Sequence, residues 1–483
     1  MIMTQEKHLI KAHEQFETLC DWIRNAGEER LRIDQVERGL FARLLMLGLT
    51  LLKAFVAGFG RGDVGRAIEQ AGRTLSRSAE PHRRRYVSIF GELSIERFVY
   101  AKREKQKIEH VPLDARLGLP AGDFSYVLED WQQRLCLQGS FDEGVESLDD
   151  WLGVKPSVRS AEAMNRQMAR HAMDFRVSQK PPLPDEEGLL IVVTADGKGV
   201  PMRRPLEDRT RSNRRRGKGE KKNKKQMAYV GAVYTIDRFV RTADDVIDEI
   251  RRKDRAGERP SPCHKRVWAE LTLPGQEELA NGKPRLFSQL AAEAQSRDGQ
   301  QNKPLVCLMD GERALWEVQR TWLPEKTIGI LDLFHVMERL WIAAYCFHAE
   351  GSRQAEAFVT DRLRMLLEGK VGYLLGGLRR MATRLRGEKR KKLQTVIGYL
   401  DNNRQHMKYD EYLAAGYPIG SGVAEGACRH VVKDRLERTG MRWTVDGAQA
   451  MLHLRTIYLN GDWQKFLQHR IEAEQTALYS QAV

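Results

Sequence analysis

The spacing of apolar and polar positions divides this chain into segments of different period. Through about the first eighty residues apolar positions recur at helical intervals, ending in the basic stretch Arg73–Arg85. A β-like pair follows, Tyr86–Phe90 and Leu93–Tyr100, expected to join at Gly91-Glu92. The polar run Ala101–His110 separates this pair from Val111–Asp114. Helical patterning returns from Phe124 to about Phe175. Within it, Ser140 is placed to cap a helix that Gly153 stops, and a second helix is expected from Ser157 to Met173. The stretch Lys180–Glu187, with its three prolines, is the clearest boundary in the chain.

Beyond that boundary the apolar runs shorten and become β-branched. Leu189–Ala195 is closed by Asp196-Gly197, and Pro304–Met309 by Asp310-Gly311, so each reads as a buried strand meeting a turn. Gln226–Ile236 and Thr327–Asp332 read as further strands, the latter leading into the helical run Leu333–Trp341. The pattern then stays helical to about Ala415, including a charge-laced helix over Leu378–Leu393. A turn rich in glycine and proline, Gly416–Gly422, feeds a last helical region with Ser421 as its expected N-cap. The expected fold is multi-domain α/β, with a helical N-terminal region (1–85) and a β-pair plus helical hairpin (86–180). A sheet domain (188–335) follows, interrupted by a helical insertion (336–415) and completed by C-terminal helices (416–483).

Charge changes the picture. The 483 residues carry a net charge of +14, which suits a polyanionic partner. Arg203–Lys225 holds twelve Lys or Arg against three acids and almost no apolar residue, so it reads as a loop or arm rather than core. Arg214, Arg215, Arg216, Lys221, Lys222, Lys224 and Lys225 are its candidate phosphate contacts. Helix, glycine turn and helix around Gly153 fit a helix-turn-helix, with Arg159, Arg166 and Arg170 on the groove-reading helix. An ordinary helical hairpin with a solvated basic face fits equally. The six cysteines are scattered, with no C-x-x-C pair, and read as reduced thiols. The charged N-terminus does not read as a signal peptide. Phe41–Gly60, interrupted by Arg43 and Lys53, reads as a core helix rather than a membrane span. A soluble cytoplasmic protein is expected.

Asp196 and Asp310 are the candidate chemistry. Carboxylates at the ends of neighbouring strands can share divalent cations for phosphodiester chemistry, although Asp-Gly after a strand is also a plain turn signal. Glu425 lies one position too late for a capping box with Ser421; dipole stabilisation or pairing with Arg429 are its structural alternatives.

The motifs Ala195-Asp-Gly-Lys-Gly-Val200, Leu308-Met-Asp-Gly-Glu312, Asp332-Leu-Phe-His335 and Gly420-Ser-Gly-Val-Ala-Glu425 together resemble bacterial insertion-sequence DDE transposases of the ISKra type. Arg438-Thr-Gly-Met-Arg-Trp443 strengthens that resemblance, which covers about residues 85 to 460. It implies an RNase H-like mixed-sheet core with an all-α insertion, and Asp196, Asp310 and Glu425 as catalytic metal ligands. The implied cofactor is a pair of Mg²⁺ ions, replaceable by Mn²⁺. The implied reaction is cleavage at element ends and transfer of the freed 3′-OH to target DNA. Asp332, His335 and Trp443 would be accessory, His335 orienting a phosphate or Asp332, and Trp443 stacking on an extruded base. Asp332 as a helix cap and Trp443 as core are the structural alternatives. Arg442 would contact DNA. Asp434 and Glu437 compete for the third acid, but local ion pairs account for them. Relatives often carry cysteines where this chain has Tyr100–His110, so no zinc is expected. The implied partners are double-stranded DNA, as terminal inverted repeats and target, and a second copy of the chain, near the nucleoid. Another RNase H-like nuclease or resolvase, or a non-catalytic DNA-binding protein, fits parts of the same pattern.

Overall fold

The computed structural model describes residues 2–70, 72–103, 107–203, 225–251, 259–273, 281–298, 302–420, 422–438 and 440–479. The chain forms two compact units, Met1–Phe175 with Trp463–Val483, and Arg176–Asp462. The C-terminal helix therefore belongs with the N-terminal unit, a grouping that crosses the segments expected from sequence.

The first unit opens with two long helices, α1 (Ile2–Glu28) and α2 (Ile33–Gly58). Helical structure ends there, earlier than the periodicity suggests. The basic stretch instead forms strands: β1 (Ala67–Gln70), β2 (Arg73–Arg77) and β3 (His82–Ser88), followed by β4 (Gly91–Arg97) and β5 (Tyr100–Ala101). Strands β1, β2 and β5 form one small sheet, while β3 and β4 form a separate hairpin. Ser88 pairs with Gly91, so the hairpin turns at Ile89-Phe90 and not at Gly91-Glu92. Helix α3 (Pro112–Leu117) supplies Asp114, a buried carboxylate held by Arg84 and Arg97 of the hairpin at 2.6 and 2.7 Å.

Helices α4 (Tyr126–Gln138), α5 (Phe141–Leu152) and α6 (Val158–Ala169) pack on one another, and α7 (Ala172–Ser178) follows. Ser140 and Glu143 form a capping box at the start of α5, and Gly153 ends it at φ 64°. Gln133 reaches from α4 to the carbonyl of Ala161 at 3.0 Å and accepts from Asn165 at 2.9 Å. These bonds between buried side chains tie α6 to α4.

The second unit is built on a five-stranded sheet. Its strands are β6 (Leu190–Pro201), β7 (Lys225–Ile236), β8 (Cys263–Leu271), β9 (Leu305–Met309) and β10 (Ile328–Leu331), in the spatial order β10-β9-β6-β7-β8. The first three run antiparallel as a meander; β9 then lies parallel to β6, and β10 parallel to β9. Leu190–Ala195 is buried without a break, as expected of a central strand covered on both faces. Helices α8 (Ala243–Ile250), α9 (Gly282–Arg297) and α10 (Arg313–Trp322) interleave with the strands. The stretch 237–303, which carried no clear sequence signal, contributes α8, β8 and α9.

A helical segment follows: α11 (Leu333–Ala344), α12 (Arg353–Leu367), α13 (Val371–Ala382), α14 (Gly387–Asn402) and α15 (Tyr409–Ala414). Leu378–Leu393 is not one helix; the chain breaks after Ala382 and restarts at Gly387, whose φ is 58°. The chain then forms α16 (Gly422–Cys428), a π-turn (Arg429–Lys433), α17 (Asp434–Leu436) and α18 (Val445–Leu459). In the first unit α19 (Trp463–Tyr479) closes the chain, its Arg470 paired with the buried Glu129.

Helix α2 departs from expectation in its burial. Only Thr50 and Ala54 are fully buried, so Phe41–Gly60 is no core helix. One side, through Leu49, Leu52 and Val56, packs on a small cluster with Leu93 and Ile95. A second side packs on α1, and Phe41, Leu44, Met46, Leu51 and Phe55 are exposed. Among the described residues α2 is the one helix long and apolar enough to cross a membrane by length and composition.

Candidate active site

The parallel ladder between β6 and β9 ends at the pair Ala195↔Met309. Asp196 and Asp310 are therefore the next positions on two adjacent strands, which run about 4.8 Å apart. The environment of Asp310 reflects this. Burial is the larger cause of its raised pKa, the Asp196 charge pushes it further, and His335 and Lys283 oppose the rise.

Asp196 does not end its strand. β6 continues to Pro201, paired with β7 throughout, because Gly197 and Gly199 let the neighbouring strand's side chains lie close. A Cβ at Gly197 would stand 2.9 Å from the Tyr229 ring, and one at Gly199 would stand 2.9 Å from Lys225. These glycines permit close approach rather than a turn. Asp196 Oδ1 accepts from the backbone N–H of Gly197 at 2.6 Å.

Asp310 does leave its strand at a turn. Gly311 has φ 86°, and Asp310 Oδ1 accepts from the Glu312 N–H at 2.9 Å. The Tyr399 hydroxyl, reaching in from α14, donates to the Asp310 carbonyl at 2.6 Å. Thus the helical segment that follows the sheet braces one of the two carboxylate-bearing turns.

Glu425 lies on α16, which packs across β6 and β7. One turn further along the same helix, the buried Cys428 thiol lies close enough to the Asp196 carboxylate for that charge to act on it. Burial, and then the Asp196 charge, hold that thiol protonated. Positions i and i+3 share a helix face, so Glu425 is on the Cys428 side of α16, itself exposed to solvent. Among the described residues no three His, Cys, Asp or Glu side chains already stand at metal-binding separation. The chemistry of the set nevertheless fits a hard divalent cation: two neighbouring carboxylates, one raised in pKa by burial and by the other's charge, and a third carboxylate on the adjoining helix.

The accessory residues fall in different places. Asp332 is buried and caps α11, its Oδ1 accepting from Phe334 N at 2.8 Å, while its own N–H donates to Met309 O at 2.8 Å. His335 is partly exposed, 3.7 Å from Glu338, and close enough to Asp310 to act on its charge. Trp443 corrects the base-stacking expectation. The ring is 7% exposed, its Nε1 donates to Leu436 O at 3.1 Å, and Arg435 covers it at 4.9 Å. Its backbone joins the end of β6, with bonds to Pro201 O and from Arg203 N. Trp443 is a core residue that ties the Gly-Met-Arg-Trp segment to the strand bearing Asp196. Asp434 pairs with His430 at 3.0 Å and Glu437 pairs with Lys225, so ion pairs occupy both competitors for the third acid.

Lys283, at the start of α9, was missed by sequence reasoning. Its ammonium pairs with Glu312 and lies 4.9 Å from the Tyr229 ring centroid. It is the lysine whose charge acts on Asp310. Nothing in Gly282-Lys-Pro-Arg signals this, because the link forms across the sheet. Of the candidate DNA contacts, Arg159 and Arg170 are exposed on the α6 side of the helical bundle, and Arg166 lies 3.9 Å from Glu162. Arg442 is exposed beside Trp443. Arg214, Arg215, Arg216, Lys221, Lys222 and Lys224 lie outside the described residues.

No protein-family model and no curated protein matches this chain. Among solved structures, the Drosophila P element transposase strand transfer complex aligns over 72% of this chain and 81% of its own, at 10% identity and a TM-score of 0.24. At that score the likeness carries no argument, and the site stands on its own geometry.

Proposed function

We propose that this chain is a DDE-type transposase with an RNase H-like core, cutting DNA at element ends and joining the freed 3′-OH to target DNA. One observation carries the reading: the register that ends at Ala195↔Met309 leaves Asp196 and Asp310 side by side, on the first and fourth strands of the sheet. The resemblance implies the first and second acids on the first and fourth strands of such a core. Asp196, Asp310 and Glu425 would hold the divalent cations, which supply activation of the attacking oxygen and stabilisation of the leaving one. The Gly197 N–H holds the Asp196 carboxylate, with the Cys428 thiol beside it, and Tyr399 with the Glu312 N–H fixes the Asp310 turn. Lys283 supplies positive charge beside Asp310, as a phosphodiester would require. Exposed Glu425, on the Cys428 side of the helix that packs on β6, would complete the ligand set. The exposed arginines of α6 and Arg442 are the described candidates for backbone contacts.

The test is Asp310→Asn assayed with end DNA and Mg²⁺ or Mn²⁺. DNA binding should persist while strand cleavage and joining fall to background. Persistent metal-dependent cleavage would remove Asp310 from the site. Binding without cleavage by the unaltered protein would favour a non-catalytic DNA-binding role. Cleavage without strand transfer would favour a resolvase or nuclease.

A further inference from the structure

Helices α1 and α2 run antiparallel, joined by a short loop at 29–32, with Gln5 beside Gly58 and Trp22 beside Gly39. Their shared seam uses Ala12, Leu19 and Ala26 on one helix and Thr50 and Ala54 on the other. Each helix carries a second apolar stripe about a quarter-turn from that seam. On α1 it is Leu9, Phe16 and Ile23, one heptad apart and 41%, 52% and 41% exposed. On α2 it is Phe41, Leu44, Leu51 and Phe55, 45–55% exposed. Both stripes are displaced from the seam in the same rotational sense. In an antiparallel pair of right-handed helices that puts them on one side of the hairpin. The β3–β4 hairpin packs on α2 about a quarter-turn round from this stripe, through Leu49, Leu52 and Val56, and the Phe90 ring at its turn covers Gly48.

We propose that this face is a self-association surface on which the α1–α2 hairpins of two copies pack as a four-helix bundle. Three observations select a second copy. Spacings of three, seven and four along α2, with heptads along α1, are those by which helices take up helices. At roughly 200 Å² per large side chain, the stripes leave about 650 Å² of apolar surface on each copy. A symmetric pair would remove about 1,300 Å² of it from water, within the range of stable interfaces. Finally, the polar surroundings do not suit a lipid surface. Glu6, Glu14, Glu17, Asp21 and Glu28 outnumber Lys7, Lys11 and Arg24 on α1, whereas interfacial helices are rich in Lys and Arg. A transmembrane α2 would also bury Arg43 and Lys53 in hydrocarbon. The proposal stands apart from the catalytic reading, because no residue of the hairpin belongs to the site around Asp310.

The experiment is the mass of the full chain by light scattering and sedimentation over a wide concentration range, without DNA. The expected result is twice the 55.5 kDa chain mass, with Phe16→Glu and Leu51→Glu each weakening self-association roughly 30-fold or more. Far-UV circular dichroism spectra should stay unchanged, because these side chains do not fill the core. Phe41→Gln, a neutral replacement, gives a second measurement should a glutamate perturb folding, and it must also shift the mass towards monomer. A wild-type monomer at every concentration overturns the proposal. So does a dimer that persists in the folded Phe16→Glu, Leu51→Glu double variant. Monomer that co-sediments with phosphatidylcholine–phosphatidylglycerol vesicles, and loses this with Leu51→Glu, overturns it in favour of a membrane.

Discussion

The thiol of Cys428 lies beside the carboxylate of Asp196, where the helix that carries Glu425 packs on the first strand of the sheet. From there it can donate to Asp196 and fix which way that carboxylate points. Removing a group that orients a metal ligand commonly costs 10–100-fold in metal affinity or activity. Cys428→Ala should therefore lower metal-dependent cleavage by roughly 10-fold or more, whereas Cys428→Ser, which keeps a donor, should stay near wild type. Cleavage rates against metal concentration distinguish the two. Equal loss in both would mean that packing of the sulfur, not its hydrogen bond, matters.

Lys283 lowers the pKa of an Asp310 that burial and Asp196 raise. Lys283→Met removes that charge, so the Asp310 carboxyl should take up a proton at higher pH. Metal ligation needs the carboxylate, so the acid limb of the cleavage profile should move to higher pH in the variant. Added metal competes with the proton and should move it back. A pH–rate profile of both proteins checks this, and an unchanged acid limb would dissociate Lys283 from the site.

Gly311 combines a left-handed φ of 86° with crowding: a Cβ would stand 2.6 Å from Leu331 and 3.0 Å from the Tyr399 hydroxyl and Asn403. Gly311→Ala should cost about 2–4 kcal/mol through backbone strain and overpacking. It should also release the Tyr399 bond to the Asp310 carbonyl. Urea denaturation measures the first effect and cleavage activity the second.

Glu270 is buried on β8 between Arg285 at 3.2 Å, His453 at 3.0 Å, Gln289 at 2.8 Å and Gln449 at 3.0 Å. Burial alone would raise its pKa, but these partners hold it at about 2. A depressed carboxyl stabilises the fold above its unfolded value, near 4.5, and loses that contribution as pH falls towards 2. Glu270→Gln should cost roughly 3 kcal/mol at neutral pH, and the difference from wild type should shrink across that acid window. Denaturant midpoints between neutral and acid pH report it.

Much of the second unit is legible in sequence because its strands are buried on both faces. Leu190–Ala195, apolar but for Thr194, and the apolar run Leu305–Met309 read as buried strands for that reason, and each ends where parallel pairing ends. Local capping was equally readable at Ser140 and Gly153, since both ends of α5 depend on nearby residues. Reading failed where a glycine had more than one meaning. Gly197 looks like a turn after Asp196 but serves close strand approach, and Gly387 divides a charge-laced segment into two helices. It failed also for α2, whose apolar residues are those of a core helix although most of them face outward.

The sequence by itself determined which residues are acidic, where apolar runs stop, and so that Asp196 and Asp310 each follow a buried run. Those are local properties, set by burial and by turn chemistry a few residues away. Only the tertiary structure decided that the two strands are neighbours in register, because strand order depends on packing among segments more than a hundred residues apart. The same packing brought Lys283, Tyr399 and Cys428 to the aspartates and turned Trp443 into the core. Side chains from distant segments meet only when the sheet and its covering helices bury their apolar faces together.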